Sequence, residues 1–145
     1  EEKVSFHRAN ALSTALPSAE FDSLIAQEAF CHIPNKPGLL TECVRVLKPG
    51  GMFCWTDLRD AKTMASLPAL FESKGFEIVE SADVVEEVIR ALDEINETKM
   101  KAIEEKVPKS VRRSFETFAG VKGTPVYEGF VSGSMAYHRH LMRKP

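Results

Sequence analysis

Two hydrophobic periods alternate along this chain, and their joints are sharpest between Phe21 and Asp57. Phe21–Ala26 is a short, mainly apolar run. It gives way to Gln27-Glu28-Ala29-Phe30-Cys31-His32, the mixed pattern expected where a buried strand leaves a sheet. Asn35 then offers an N-cap and Pro37 suits a first helical turn. Leu39, Leu40, Cys43, Val46 and Leu47 recur at helical spacing, which predicts a helix of about three turns. Lys48-Pro49-Gly50-Gly51 is a stop signal, with a basic last turn, a proline and glycines that can reverse direction. Met52–Thr56, apolar on both faces, predicts a second strand ending at Asp57. A strand, helix and strand at this spacing form a right-handed crossover between parallel strands. Ligands of such sheets bind beyond the carboxyl ends, so Gln27, Glu28, His32 and Asp57 are expected along one rim.

On either side the pattern is looser. Val4–Ala9 alternates like a strand. Arg59–Met64 reads as polar linker, and Ser66 as the cap of a short helix with Pro68 in its first turn and Leu70 and Phe71 inward. Gly75 ends that helix, and Phe76–Glu80 follows as a strand. From Asp83, a capping residue, Val85, Val88, Ile89, Leu92, Ile95, Ala102 and Ile103 predict one long helix that Pro108 interrupts. Ser110–Ala119 predicts a further helix with Val111, Phe115 and Phe118 inward. A short helix over Thr124–Ser132 and a closing strand over Ser134–Met142 complete the chain.

The 145 residues suffice for one domain with a substantial core. With 43% hydrophobic and 28% charged residues and a net charge of -2, the composition is that of a soluble globular protein. The scattered basic residues argue against a nucleic-acid surface, and Lys109, Arg112 and Arg113 read as the solvated face of a helix. No apolar run approaches the roughly 20 residues that span a bilayer, and no signal-peptide pattern opens the chain, so no membrane partner and a cytoplasmic location are expected. Cys31, Cys43 and Cys54 lack metal or redox spacing and read as core thiols. His138 and His140 share a strand face without a third ligand in view, so no metal site is expected.

Several segments carry a family resemblance: Leu16-Pro17 with Phe21-Asp22, Gln27 to Pro34, Arg45-Val46-Leu47-Lys48-Pro49-Gly50-Gly51, and Thr56-Asp57. Together they resemble the second half of a class I S-adenosylmethionine-dependent methyltransferase of the type 11-like group. The nearest look is to the N-methyltransferases of glycine, sarcosine, dimethylglycine and phosphoethanolamine. The resemblance implies an α/β fold: an incomplete Rossmann-like sheet with strands corresponding to 3–7, helices on both faces, and a helical insertion before the last strand. Residues 1–145 would form a single partial domain, with the insertion, 83–133, covering the acceptor pocket. Asn10-Ala11 stands where the family has an Asp-Ala pair whose acid meets the adenine amino group. Asn10 and Ala11 are therefore expected cofactor contacts, the amide oxygen replacing the carboxylate as acceptor. On the acceptor side the resemblance makes Gln27, Glu28 and Asp57 substrate-binding and His32 catalytic. Glu28 would attract a cationic amine, and His32 would orient or deprotonate it. Phosphoethanolamine-type relatives place an acid and a histidine four residues apart on this rim, together with a tyrosine from the N-terminal part that has no counterpart here.

The family also holds its cofactor with a glycine-rich loop after strand one and an acid after strand two. None of the eight glycines forms such a loop, and Gly120 and Gly123 follow a helix and read as a turn. The absent strands and helices correspond to about 70 to 90 upstream residues. The expectation is therefore a truncated amine N-methyltransferase. S-adenosylmethionine is the family's cofactor, but this chain should bind it only at about millimolar strength or weaker. The alternative is a non-catalytic remnant serving as a dimeric binding or interaction domain. In both, the strand beginning at Phe21 loses its neighbour, and its bare apolar edge predicts a homodimer, with Val4–Ala9 pairing across it.

Overall fold

A computed structural model of the chain describes residues 4–145. They divide into two compact units. One holds the chain up to Asp57 with Ser66–Ser81 and His140–Pro145, and the other holds Leu58–Ala65 and Ala82–Arg139. Four strands, β1 (Phe21–Gln27), β2 (Leu47–Asp60), β3 (Glu77–Asp83) and β4 (Met135–Arg143), form one sheet in the order β1-β2-β4-β3. The helices are α1 (Lys36–Val46), α2 (Ala61–Ser73), α3 (Val85–Glu94), α4 (Asn96–Lys106), α5 (Arg112–Phe118) and α6 (Pro125–Val131), with 3₁₀ turns at Phe30–His32 and Lys109–Val111. This is the α/β arrangement expected, an incomplete Rossmann-like sheet.

The crossover forms as its punctuation directs. Asn35 Oδ1 accepts from the Gly38 amide at 3.0 Å and caps α1, and β1 and β2 run parallel from Ser23 opposite Met52 to Gln27 opposite Thr56. Phe21 lies opposite Leu47, so the register slips and residues 48–51 loop out of the ladder. Gly50 has φ +76°, and a Cβ on Gly51 would stand 2.8 Å from the Lys48 carbonyl oxygen, so both positions require glycine. The Gly50 amide donates to Lys144 O (2.7 Å) and the Lys144 amide to Gly51 O (2.9 Å). Lys144 Nζ then donates to the carbonyls of Val44 (2.8 Å) and Leu47 (2.7 Å), satisfying acceptors that the end of α1 leaves open.

The core of the sheet unit is aromatic. Trp55 lies edge-on to Phe30 at 6.0 Å and to Phe71 at 5.4 Å, and stacks on His140 at 5.2 Å; Phe53 meets Phe76 at 5.5 Å. The helical unit buries Ile103, Val121, Tyr127 and Phe130. Within it Tyr127 Oη donates to Asp93 at 2.8 Å, with Lys122 beside the same carboxylate.

Several expectations need correction. Val4–Ala9 forms no strand: without a neighbouring ladder its backbone groups have no sheet partner, and Phe6 is 95% exposed. The sheet among the described residues therefore has four strands, where strands corresponding to 3–7 were expected. β2 runs on to Asp60, and α2 begins at Ala61, where Asp60 Oδ1 accepts from the Thr63 amide at 2.8 Å. Met64, Leu67 and Phe71 are its buried face, and Pro68 lies inside the helix. The long helix expected from Asp83 is two helices that break at Ile95, where Asn96 Oδ1 accepts from the Lys122 amide (3.0 Å) and draws the chain aside. Val111, Phe115 and Phe118 are not inward but exposed; a seven-residue helix shows its apolar spacing without showing which side is covered.

Candidate functional site

The carboxyl end of β1 is held in an unusual conformation. The Glu28 amide continues the ladder to Thr56 O (3.0 Å), and the backbone then turns through φ +49°, a left-handed conformation that costs a non-glycine residue about 1–2 kcal/mol. The 3₁₀ turn that follows is clamped from three sides. Asp57 Oδ2 accepts from the Cys31 amide at 2.7 Å, Lys36 Nζ donates to Phe30 O (2.6 Å) and to Ile33 O, and the Phe30 ring is buried in the aromatic core. Lys36 Nζ also lies 5.2 Å from the centre of that ring.

The clamp sets out the predicted rim. Gln27, Glu28 and His32 are exposed at the same end of the sheet. Asp57, expected to face a substrate, is instead fully buried and holds the turn from beneath. The polar residues at the end of β1 signalled the rim. Lys36 was legible only as a helix residue, because its carbonyl partners come from a turn that sequence does not specify.

Asn10 and Ala11 sit in a tight turn, with Asn10 Oδ1 accepting from the Leu12 amide (3.0 Å) and Asn10 O from the Ser13 amide (2.9 Å). Ala11 lines an apolar cavity of about 230 Å³ with Ala26, Ala29, Phe30 and Ile33, so the turn and the start of the rim share a wall. Glu42 lines the same cavity and ties it together. Its Oε1 accepts from the amide and hydroxyl of Thr14 (2.7 and 2.6 Å) and from Arg45 (2.8 Å), and Arg45 also reaches Ser18 Oγ at 2.9 Å. The Arg45 guanidinium and the Thr14 donors hold the Glu42 carboxyl down at about 2. Burial pushes the neighbouring Cys43 thiol up to about 11, so it is inert as a nucleophile. The Glu42 anchor was missed; its signal is the Glu-x-x-Arg spacing on α1.

The small side chains of Ala26 and Ala29 that share the cavity wall with Ala11 would suit the flat face of an adenine. Of the two residues expected against the adenine, Ala11 alone lines this cavity, and none of the eight glycines forms the loop expected for the cofactor's other end. Among the described residues no cluster of three His, Cys, Asp or Glu suits a metal ion, and no helix is long and apolar enough to cross a membrane.

Comparison with known proteins bears on the fold. A family described as a methyltransferase domain matches residues 1–55. The phthiotriol/phenolphthiotriol dimycocerosates methyltransferase of Mycobacterium leprae is 26% identical over 141 residues, covering 97% of this chain and 52% of that protein. The chain therefore spans about half the length of the curated relatives it matches. Among solved structures, a provisionally assigned sarcosine dimethylglycine methyltransferase from Galdieria sulphuraria superposes with a TM-score of 0.77 at 18% identity, over 94% of this chain and 57% of that one. The O-methyltransferase from the trans-AT PKS multienzyme of Brevibacillus brevis, in complex with S-adenosyl-L-homocysteine, gives 0.70 at 19% identity, over 93% and 47%. At these identities the solved structures show that the chain shares their fold.

Proposed function

We propose that this chain, methyltransferase-like in sequence and fold, supplies the acceptor side of a methyl transfer to a small-molecule amine, further polypeptide supplying the glycine-rich cofactor loop. S-adenosylmethionine, when bound, brings a sulfonium methyl. The chain's own task is to present a neutral amine in line with it, since in-line displacement is catalysed chiefly by positioning. The Glu28 carboxylate attracts the cationic amine, Gln27 orients it by hydrogen bonding, and His32 accepts the proton that frees the lone pair. Asp57 and Lys36 act as positioning residues by holding the turn between them. Asn10 and Ala11 form the adenine end of the site.

The observation that carries this reading is the left-handed Glu28 at the end of β1, kept there by the Thr56 ladder and the Asp57 clamp. Strain maintained at a strand's carboxyl end is characteristic of a working site. In a domain rebuilt with a relative's glycine-rich half, His32→Ala should lower turnover at least about 100-fold. Retained turnover in that variant, with loss in Glu28→Ala, would transfer the essential role to the carboxylate. The name phthiotriol denotes a hydroxylated acceptor. For a hydroxyl, which carries no charge to attract, Glu28→Gln should be nearly silent, whereas for an amine it should raise KM.

A second reading is a non-catalytic binding domain that dimerises through β1. It is favoured by β1 lying at the end of the sheet order with Ile25 80% exposed. Light scattering that reports only monomer at high micromolar concentration would end it. Calorimetric titration separates the readings further: the incomplete site predicts no S-adenosylmethionine binding tighter than about millimolar, and a Kd near 10 µM would overturn that.

A further inference from the structure

Residues 14–20 lie beside α1 in a conformation that is strained at two points. Ala15 has φ +59° and Ala19 φ +53°, left-handed values that the Cβ of an alanine disfavours. Leu16, Pro17 and Ser18 lie between them. Strain of this kind persists where the surroundings hold the backbone against it.

Here the hold comes from two side chains of α1. Glu42 Oε1 accepts from the Thr14 amide (2.7 Å) and hydroxyl (2.6 Å), and Arg45, paired with the same carboxylate at 2.8 Å, donates to Ser18 Oγ at 2.9 Å. Backbone bonding to α1 begins at Ala19 and Glu20, whose amides donate to Arg45 O and Val46 O at 2.9 Å each. Ala15, Pro17 and Ser18 are exposed, while Leu16 is half-buried and forms part of the wall of the 230 Å³ cavity together with Leu24, Leu39 and Val46. A segment with so few buried groups, strained at both ends, opens at lower cost than the sheet beside it.

We infer that residues 14–20 are a latched strap that forms the movable wall of this cavity. Glu42 and Arg45 are the latch, and Ala15 and Ala19 are hinges whose backbone relaxes out of the left-handed region when the strap lifts. Lifting withdraws Leu16 from the wall and uncovers Cys43, which lines the cavity from α1. Thr14 and Glu42, which also line it, already bond each other, so the space that the strap closes on is apolar. The strap begins three residues after Ala11, so it would also regulate how firmly the adenine end of the proposed site is held. That consequence alone rests on the proposed function; the latch does not.

Hydrogen exchange resolved by residue tests the strap, with the Trp55 amide in β2 as the measure of global opening. Glu42→Gln should speed exchange at Thr14 and at Ala19 together by at least about tenfold, the loss expected when charged hydrogen bonds are removed, while Trp55 keeps its rate. Ala19 is informative because its amide bonds a backbone carbonyl and not the Glu42 side chain. Ala15→Gly alters no charge and relieves the closed form, so it should slow both Ala19 exchange and alkylation of Cys43 by N-ethylmaleimide. Acceleration at Thr14 alone in Glu42→Gln would make Glu42 a local contact and overturn the inference. Equal acceleration at Trp55, or an Ala15→Gly chain that opens as readily as the parent, would also overturn it. Methyl transfer is read separately through His32→Ala, so either conclusion can fail alone.

Discussion

In the sheet unit Phe30, Trp55 and Phe71 pack edge to face within about 6 Å of one another and are almost wholly buried, whereas in the helical unit Phe115 and Phe118 stand in solvent. The two groups are chemically alike, and what differs is how their neighbours constrain them. In the central strand over Met52–Thr56, Phe53 and Trp55 lie on the buried side while Met52, Cys54 and Thr56 are half-buried, so the strand's aromatics are covered by the sheet's own packing. A short amphipathic helix has an apolar side whose cover is decided by other elements. On α5 the elements present leave Phe115 and Phe118 uncovered.

Mutation can break this contrast or sharpen it. The largest effect is expected from Trp55→Ala, which empties the centre of the aromatic cluster and should cost about 3–5 kcal/mol in denaturant unfolding. Acidification should act next, through Glu42. Its carboxyl is held far below the usual range in the folded chain, so its contribution is complete above the ordinary carboxylate range and fades as pH falls from about 5 toward 2. Urea midpoints should drop over that window, and Glu42→Gln should flatten the drop. Asp57→Ala strands the Cys31 amide and should cost about 1–3 kcal/mol, with faster hydrogen exchange at Cys31. Tyr127→Phe removes the hydrogen bond to Asp93 and should lower stability by about 1 kcal/mol. Phe118→Ser should change stability by less than about 0.5 kcal/mol, and a larger loss would show that its ring is covered in solution.

The crossover was legible because its punctuation is local. Asn35, Pro37 and the Lys-Pro-Gly-Gly segment act on their own backbone, and the structure uses them as expected up to the loop-out at residues 48–51. Val4–Ala9 was misread because alternation predicts a strand only where a partner ladder exists. The rim residues Gln27, Glu28 and His32 are exposed at one end of the sheet, yet the parts that fix them were hidden. Asp57 looked like a ligand because an acid after a strand is ambiguous until its burial is known. Glu42 and Lys36 act on segments 28 and six residues away, on atoms that periodicity does not reveal.

The order of strands in the sheet bears on how the chain acquires its structure. Of the four described strands β4 follows the others in sequence but lies between β2 and β3, so emerging chain cannot join them until the helical segment and then β4 have left the ribosome. Until then β2 and β3 each lack a neighbour, and the hydrogen bonds linking Gly50 and Gly51 to Lys144 must be made across almost a hundred residues. Contacts of such long range slow folding and prolong the exposure of unpaired edges to other chains. Synthesis of this protein is thus a race between arrival of the final strand and capture of a waiting edge, one that chaperones or slower growth temperatures would tilt toward the folded form.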